Sequence, residues 1–173
     1  GPNGEVFENL NITEATATAT ISDSIDTVYA VIEGPSPTVE SAETGFFTVK
    51  LVDAAGGPVT LLADTSVEVE IVFTNVTAED GDYDSSTQTV TITSGNPTPE
   101  FKVQTNDDVD FNDETFTATI NSVTDNSPIN KFESIDHTSA PVGFSNSVEA
   151  VILDDDVQVT LQGKIVINDL ISK

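Results

Sequence analysis

The sequence contains no cysteine, methionine or tryptophan, and its one histidine is His137. Without cysteine the chain can form no disulfide, zinc–thiolate centre or iron–sulfur cluster, and a single histidine excludes the histidine-rich metal sites. No apolar run approaches the roughly 18 residues that cross a bilayer, so direct membrane insertion is not expected. Oxygen ligands remain in quantity, because the chain has 30 aspartate and glutamate residues.

Positive charge is equally scarce. The only basic residues are five lysines, and the formal net charge of the 173 residues is -25. Such a chain cannot replace the counterions on a phosphate backbone, which excludes nucleic acid as a partner. The charge also argues against docking on anionic lipid. Hydrophobic residues make up 37% of the chain and fall in short runs, which favours a folded core over disorder.

Apolar and polar residues alternate with a period of two along most of the chain. Threonine, valine, isoleucine and phenylalanine dominate these runs, and turns rich in glycine and proline separate them. Short strands at this spacing predict an all-β fold, an antiparallel β-sandwich of the Ig-like kind. The predicted strands are 17–21, 28–32, 46–52, 59–62, 67–73, 89–93, 101–105, 115–120, 148–153, 157–161 and 164–170.

The predicted domain organisation depends on the two ends of the sequence and on one long segment without a predicted strand. Residues 1–26 are expected to be a cloning remnant (Gly1-Pro2) and a leading strand, which ends a preceding module, because "TATATISDSID" has the same form as "VEAVILDDD" near the other end. Residues 27–173 are predicted to form the sandwich, with a long polar loop at 121–147. The residues after 156 are expected to be extra strands or the start of a following module. Long loops in compact domains are usually functional or mobile.

The acidic residues cluster at turns. The clusters are "EDGDYD" at 79–84, "NDDVDFNDE" at 106–114 and "DDD" at 154–156, with smaller groups at Asp23 and Asp26 and at Glu40 and Glu43. Carboxylates this close repel one another and have no arginine to pair with, so they are either fully solvated or hold a cation. Calcium accepts 6–8 oxygen ligands in flexible geometry, whereas magnesium needs strict octahedral geometry, so calcium is favoured.

Two segments begin like the loop of an EF-hand. They are Asp80-x-Asp82-x-Asp84 and Asp108-x-Asp110-x-Asn112. Both depart from the EF-hand pattern further on, because neither has glycine at its sixth position or glutamate at its twelfth. The sequence therefore predicts calcium-binding turns between strands.

From Val39 to Asp156 the order of motifs resembles a Calx-beta-type domain, as found in calcium-dependent repeats of large bacterial surface adhesins of the RTX kind. The motifs are "FFTVKL", "GGPVT", "DGDYD", "QTVTITSG", "FKVQTNDDVDFNDETFTATI" and "VILDDD". The resemblance implies several bound Ca²⁺ ions. Including the EF-hand-like positions, the candidate ligands are Glu40, Glu43, Asp80, Asp82, Asp107, Asp108, Asp110, Glu114, Asp154, Asp155 and Asp156. Asp23 and Asp26 are candidates for a metal at the joint with a neighbouring module.

The resemblance implies an adhesion module at the bacterial cell surface, monomeric and flanked by other adhesin modules. We expect it to bind a peptide or glycan on a host or biofilm surface through loops organised by calcium. The alternative is a spacer that calcium makes rigid. Phe132, His137 and Phe144 are candidate ligand contacts, although the two phenylalanines are better explained as residues that pin the 121–147 loop to the sandwich, and His137 as a surface residue.

Enzymatic activity is not expected. Glycosidases use paired carboxylates, but acids are so abundant here that pairs carry no information. With no tryptophan and only two tyrosines the chain offers no evident sugar-stacking platform. The sequence also has no G-x-S-x-G, H-E-x-x-H or P-loop motif.

Overall fold

A computed structural model describes residues 27–109, 111–127 and 132–156. In this part of the chain the secondary structure consists of strands, with no helix. The strands are β1 (Thr27–Glu33), β2 (Thr38–Val39), β3 (Phe47–Val52), β4 (Ser66–Asn75), β5 (Gln88–Thr93), β6 (Glu100–Phe101), β7 (Glu114–Asp125), β8 (Ser134–Asp136) and β9 (Ser147–Leu153). Among the described residues no helix is long and apolar enough to span a membrane.

The strands form two sheets. One has the order β6-β3-β1-β8 and the other the order β2-β9-β7-β4-β5. Most neighbours are antiparallel, while the edge strands β8 and β2 run parallel to β1 and β9. The predicted all-β sandwich is therefore confirmed, with parallel pairing at two edges as an added detail.

The core lies between the sheets and follows the alternation of the sequence. On β7, Glu114, Phe116, Ala118 and Ile120 are buried and the residues between them are half-exposed. Five aromatic rings cluster at one end of this core, with centroids 4.0 to 6.5 Å apart for the pairs in contact: Phe47, Phe73, Tyr83, Phe101 and Phe116.

The prediction of one long loop at 121–147 is wrong, because β7 continues to Asp125 and β8 lies within the segment. The alternation of apolar and polar residues stops at Ile120 because β7 contains a bulge there. Ile71 pairs with Ile120 while Glu70 pairs with Ser122, which leaves Asn121 as the extra residue. A bulge reverses which residues face the core.

Two shorter predictions also need correction. The segment 59–62 is not a strand, because Pro58 forms only an isolated bridge with Val52 and has no amide hydrogen for a ladder. The segment 101–105 is a strand only at its first residue, in β6. Beyond it the backbone pairs with loops instead, since Val103 O accepts from Thr44 N and Thr105 N donates to Ala42 O.

The predicted strands at 17–21, 157–161 and 164–170 lie outside the described residues, as do all of residues 1–26 and their proposed module boundary.

Candidate metal centre

The acidic turns meet at one end of the sandwich. The start of β7 lies beside the end of β9, because Glu114 pairs with Ile152. The end of β4 lies on the other side of β7, where Asn75 pairs with Phe116. Four turns therefore converge at this end of the sandwich: those after β2, β4 and β9 and the one before β7. We call it the acidic end.

Three carboxylates form the first carboxylate group: Glu40, Asp107 and Asp155. One oxygen from each lies within 4.8 Å of the others. Glu40 directly follows β2 and is 5% exposed, whereas the two aspartates are exposed. Backbone pairing of β2 with the end of β9 brings Glu40 and Asp155 together, since Glu40 N donates to Leu153 O.

The second carboxylate group consists of Asp82, Asp108 and Glu114, whose oxygens also lie within 4.8 Å of one another. Asp82 and Glu114 are buried and Asp108 is half-buried. With Glu79 and Val109 they line a cavity of about 160 Å³. Asp107 and Asp108 are consecutive, so a single stretch of backbone contributes to both groups.

Hydrogen bonds hold the contributing loops in place. The Glu79 amide donates to Asp82 Oδ2, and Asn106 N donates to Asp82 O at 2.7 Å. Thr105, which is fully buried, donates from its hydroxyl to Ala42 O at 2.8 Å. Thr105 thus ties the loop after β2 to the loop before β7. Sequence reasoning missed it, although a threonine that immediately precedes an acidic run was a usable signal.

The electrostatics of this end disfavour charged carboxyls. Burial raises the pKa of Glu40, and the carboxylates of Asp108, Asp154 and Asp155 raise it further, against a lowering by the Asp108 amide. Desolvation and the neighbouring aspartates, Asp154 foremost, raise the pKa of Asp156 as well. Within the described residues the ion pairs, Lys50 with Glu33 and Lys102 with Glu43, lie outside both groups.

Both groups fit a hard divalent cation. Their ligands are carboxylate oxygens, and no histidine or cysteine takes part. Calcium accepts carboxylates, carbonyls and waters in variable number, so a group of three carboxylates is a suitable start for its coordination. Oε2 of Glu114 is fully buried at the cavity, where a cation would compensate for its lost hydration.

Six of the predicted ligands are brought together in these two groups, and the others are placed differently. Glu43 is exposed and pairs with Lys102 at 3.3 Å. Asp80 accepts a hydrogen bond from Asn75 Nδ2, and Asp154 Oδ1 accepts one from Asp156 N. Asp23, Asp26 and Asp110 lie outside the described residues.

The three candidate ligand contacts of the 121–147 segment have separate surroundings. Phe132 is buried in the core cluster. The His137 carbonyl accepts a hydrogen bond from Asn146 Nδ2 at 2.8 Å. The Phe144 ring lies under Lys50 Nζ, 5.1 Å from the nitrogen to the ring centroid. These positions favour packing for the two phenylalanines, and contact of these residues with a ligand stays a prediction.

The first of two similar solved structures supports the fold. The chain is similar to the crystal structure of the apo-form Calx CBD1 domain, with a TM-score of 0.51 and 20% identity over 75% of this chain and 98% of that one. It is also similar to CBD12 from CALX1.2, with a TM-score of 0.49 and 22% identity over 74% of this chain and 46% of that one. No protein-family model and no curated protein matches the sequence. At the level of fold, the chain is a β-sandwich like the Calx CBD1 domain.

Proposed function

We propose that this chain is a calcium-binding adhesion module of a large bacterial surface adhesin of the RTX kind, which acts outside the cell as a monomeric unit among neighbouring modules. The observation that carries the proposal is the convergence of two carboxylate groups on one end of a Calx-like sandwich. The adhesin context rests on the order of the sequence motifs. No catalytic role is proposed.

Calcium is the cation that suits the charge and the geometry. Without it, at least six carboxylates lie close together in a molecule of net charge -25, and their repulsion opposes folding. A cation that binds only the folded state stabilises it by about 2.7 kcal/mol per site when its concentration is 100 times its Kd. Several ions would therefore contribute much of the stability of a typical domain.

Exposed apolar side chains beside the carboxylate groups support a role in binding a ligand. Val109 is 86% exposed and follows Asp108, and Phe111 is 49% exposed in the same loop. Val39, which precedes Glu40, is 44% exposed. A calcium ion with an open coordination position binds a carboxylate or sugar hydroxyls, and these side chains would contact the apolar parts of a peptide or glycan.

The second candidate function is that of a rigid spacer. Asp154, Asp155 and Asp156 directly follow β9 at the acidic end. Calcium held there would stiffen the joint with whatever follows. In this case the exposed valines and phenylalanine would contact a neighbouring module.

A peptide and glycan array, probed with and without calcium, separates the two candidates. We expect binding that EDTA abolishes at a temperature where the fold is intact, and we expect Val109→Ser and Phe111→Ser to weaken it. Leu62→Ser is the matched control, because Leu62 is 57% exposed outside the acidic end. No binding at any calcium concentration would favour the spacer, and binding in EDTA would contradict a calcium-organised site.

A further inference from the structure

We propose that Tyr83 is a positioning residue for the second carboxylate group: its ring, stacked on Phe116, and its hydroxyl, bonded to Asn75, set the gap between Asp82 and Glu114. This gap gives the group its preference for calcium over magnesium. The inference rests on the proposed function, since it assumes that the second group binds calcium.

The two rings link the two buried carboxylates of the group. Tyr83 directly follows Asp82, and Phe116 lies two residues after Glu114 on the same face of β7. The ring centroids are 4.0 Å apart and the ring planes differ by 13°. Tyr83 is 4% exposed and Phe116 is fully buried. Because each ring is held in the core, the stack fixes the distance between the loop before β5 and the start of β7.

The edge of a third ring supports this stack. The Phe73 ring meets Tyr83 at 6.2 Å and Phe116 at 6.0 Å between centroids, at 75° and 70°. Edge-to-face contacts of this kind stabilise a specific arrangement beyond the area that they bury. The rings therefore have little freedom to slide when the charges beside them change.

A chain of hydrogen bonds fixes the loop that carries Asp82. The Tyr83 hydroxyl donates to Asn75 Oδ1 at 2.7 Å, and Asn75 Nδ2 donates to Asp80 Oδ1 at 3.1 Å. Asn75 is the last residue of β4, so the sheet itself anchors the loop at two points. Gly81 lies between these points with a φ of 115°, a conformation that permits the tight turn.

A fixed gap matters because the two ions differ in size and in tolerance. Calcium binds oxygens at about 2.3–2.6 Å in flexible geometry, whereas magnesium requires about 2.0–2.1 Å and an octahedral arrangement. Carboxylates whose separation is fixed cannot adjust to the shorter distances and the strict geometry that magnesium requires. Ligands that are already in place also lose less entropy on binding, which raises the affinity for the ion that fits.

The test is titration calorimetry of the full chain with calcium and, separately, with magnesium. Tyr83→Phe keeps the ring and removes only the hydroxyl, so we expect the Kd for calcium at one class of sites to rise about fivefold, the equivalent of one hydrogen bond. The Kd for magnesium is expected to change less, so that selectivity falls. Asn75→Ala, which removes both hydrogen bonds, should act in the same direction.

Tyr29→Phe is the matched control, because Tyr29 is the other tyrosine of the chain and lies on β1 opposite Val52. It should leave both Kd values unchanged. In an Asp82→Asn background, which disables the second group, Tyr83→Phe should have no further effect on calcium binding.

Three outcomes would overturn the inference. The first is that Tyr83→Phe binds calcium as Tyr29→Phe does, the second is that it lowers only the melting temperature in EDTA, and the third is that its effect persists in the Asp82→Asn background. In each of these the unaltered chain still binds calcium, and the proposed function stands. If the unaltered chain binds no calcium, the proposed function fails and the inference fails with it.

Discussion

At the scale of single residues, burial distinguishes three of the six carboxylates of the two groups from the many other acids. Glu40, Asp82 and Glu114 are the buried acidic residues among those described. The burial of Glu114 could be predicted from the sequence, because Glu114 lies in the same alternation as the apolar residues Phe116, Ala118 and Ile120. It does not predict the burial of Glu40, because that depends on the pairing of β2 with β9, which is distant in sequence.

Asp136 shows how a single carboxylate can stabilise a turn. It accepts hydrogen bonds from the Ser139 hydroxyl, from Thr138 N at 2.7 Å and from the Thr138 hydroxyl at 2.9 Å. These bonds, that of the Ser139 hydroxyl foremost, lower the pKa of Asp136 to about 2. Because the pKa is lower in the folded state, the carboxylate stabilises the fold above its ordinary pKa of 3.8 and loses this effect as the pH falls through about 2.

The prediction is that Asp136→Asn is less stable than the unaltered chain near neutral pH and that the difference shrinks as the pH approaches 2. Urea unfolding in EDTA at a series of pH values measures it. Glu149→Gln, which removes an exposed charge from β9, corrects for the change in net charge. A difference that is independent of pH would mean that the charge of Asp136 has no part in the effect.

At the scale of elements, the bulge in β7 explains where the sequence pattern misleads. Before the bulge Ile120 faces the core, and after it Val123 lies opposite the buried Val69. A strand with one extra residue reads as two short patterns in opposite phase. Reading β7 correctly would have required knowledge of its partner β4, which continues without interruption.

The turn between β3 and β4 is another element with a specific contact. Gly56 has a φ of 83°, and a Cβ atom there would lie 2.6 Å from Cε2 of Phe144. We expect Gly56→Ala to lower the free energy of unfolding by about 1–3 kcal/mol, because the residue is strained and the ring must move. Urea unfolding measures the change. Gly95→Ala is the control, because its Cβ meets nothing within 4 Å, and an equal effect of both variants would contradict the contact.

At the scale of the whole molecule, periodicity sufficed for the fold class and for most of the long strands. The strands β1, β3, β4, β5 and β9 lie within a few residues of their predicted positions. The grouping of the acids into two trios was not predictable in the same way. It depends on loops between distant strands, and Asp107 and Asp108 separate into different groups although they are adjacent in the sequence.

Because the whole molecule is highly acidic, we expect the stability of its fold to depend strongly on the calcium concentration. The described ion pairs lie outside both carboxylate groups, and the pKa of Glu40 is raised by burial and by neighbouring carboxylates. In the absence of a cation, removing one charge from the acidic end should therefore stabilise the fold. With calcium bound, removing the same charge should destabilise it, because a ligand is lost.

The most direct test is thermal unfolding in EDTA and in calcium up to about 10 mM, with magnesium as the control ion. We predict a calcium-specific rise of about 5–10 °C for each site occupied at 100 times its Kd. Asp108→Asn should raise the melting temperature in EDTA and lower it in calcium, whereas Glu149→Gln should not show this reversal. A melting temperature that is the same in EDTA and in calcium would contradict the account, because the carboxylate groups would then be no more than a solvated acidic surface.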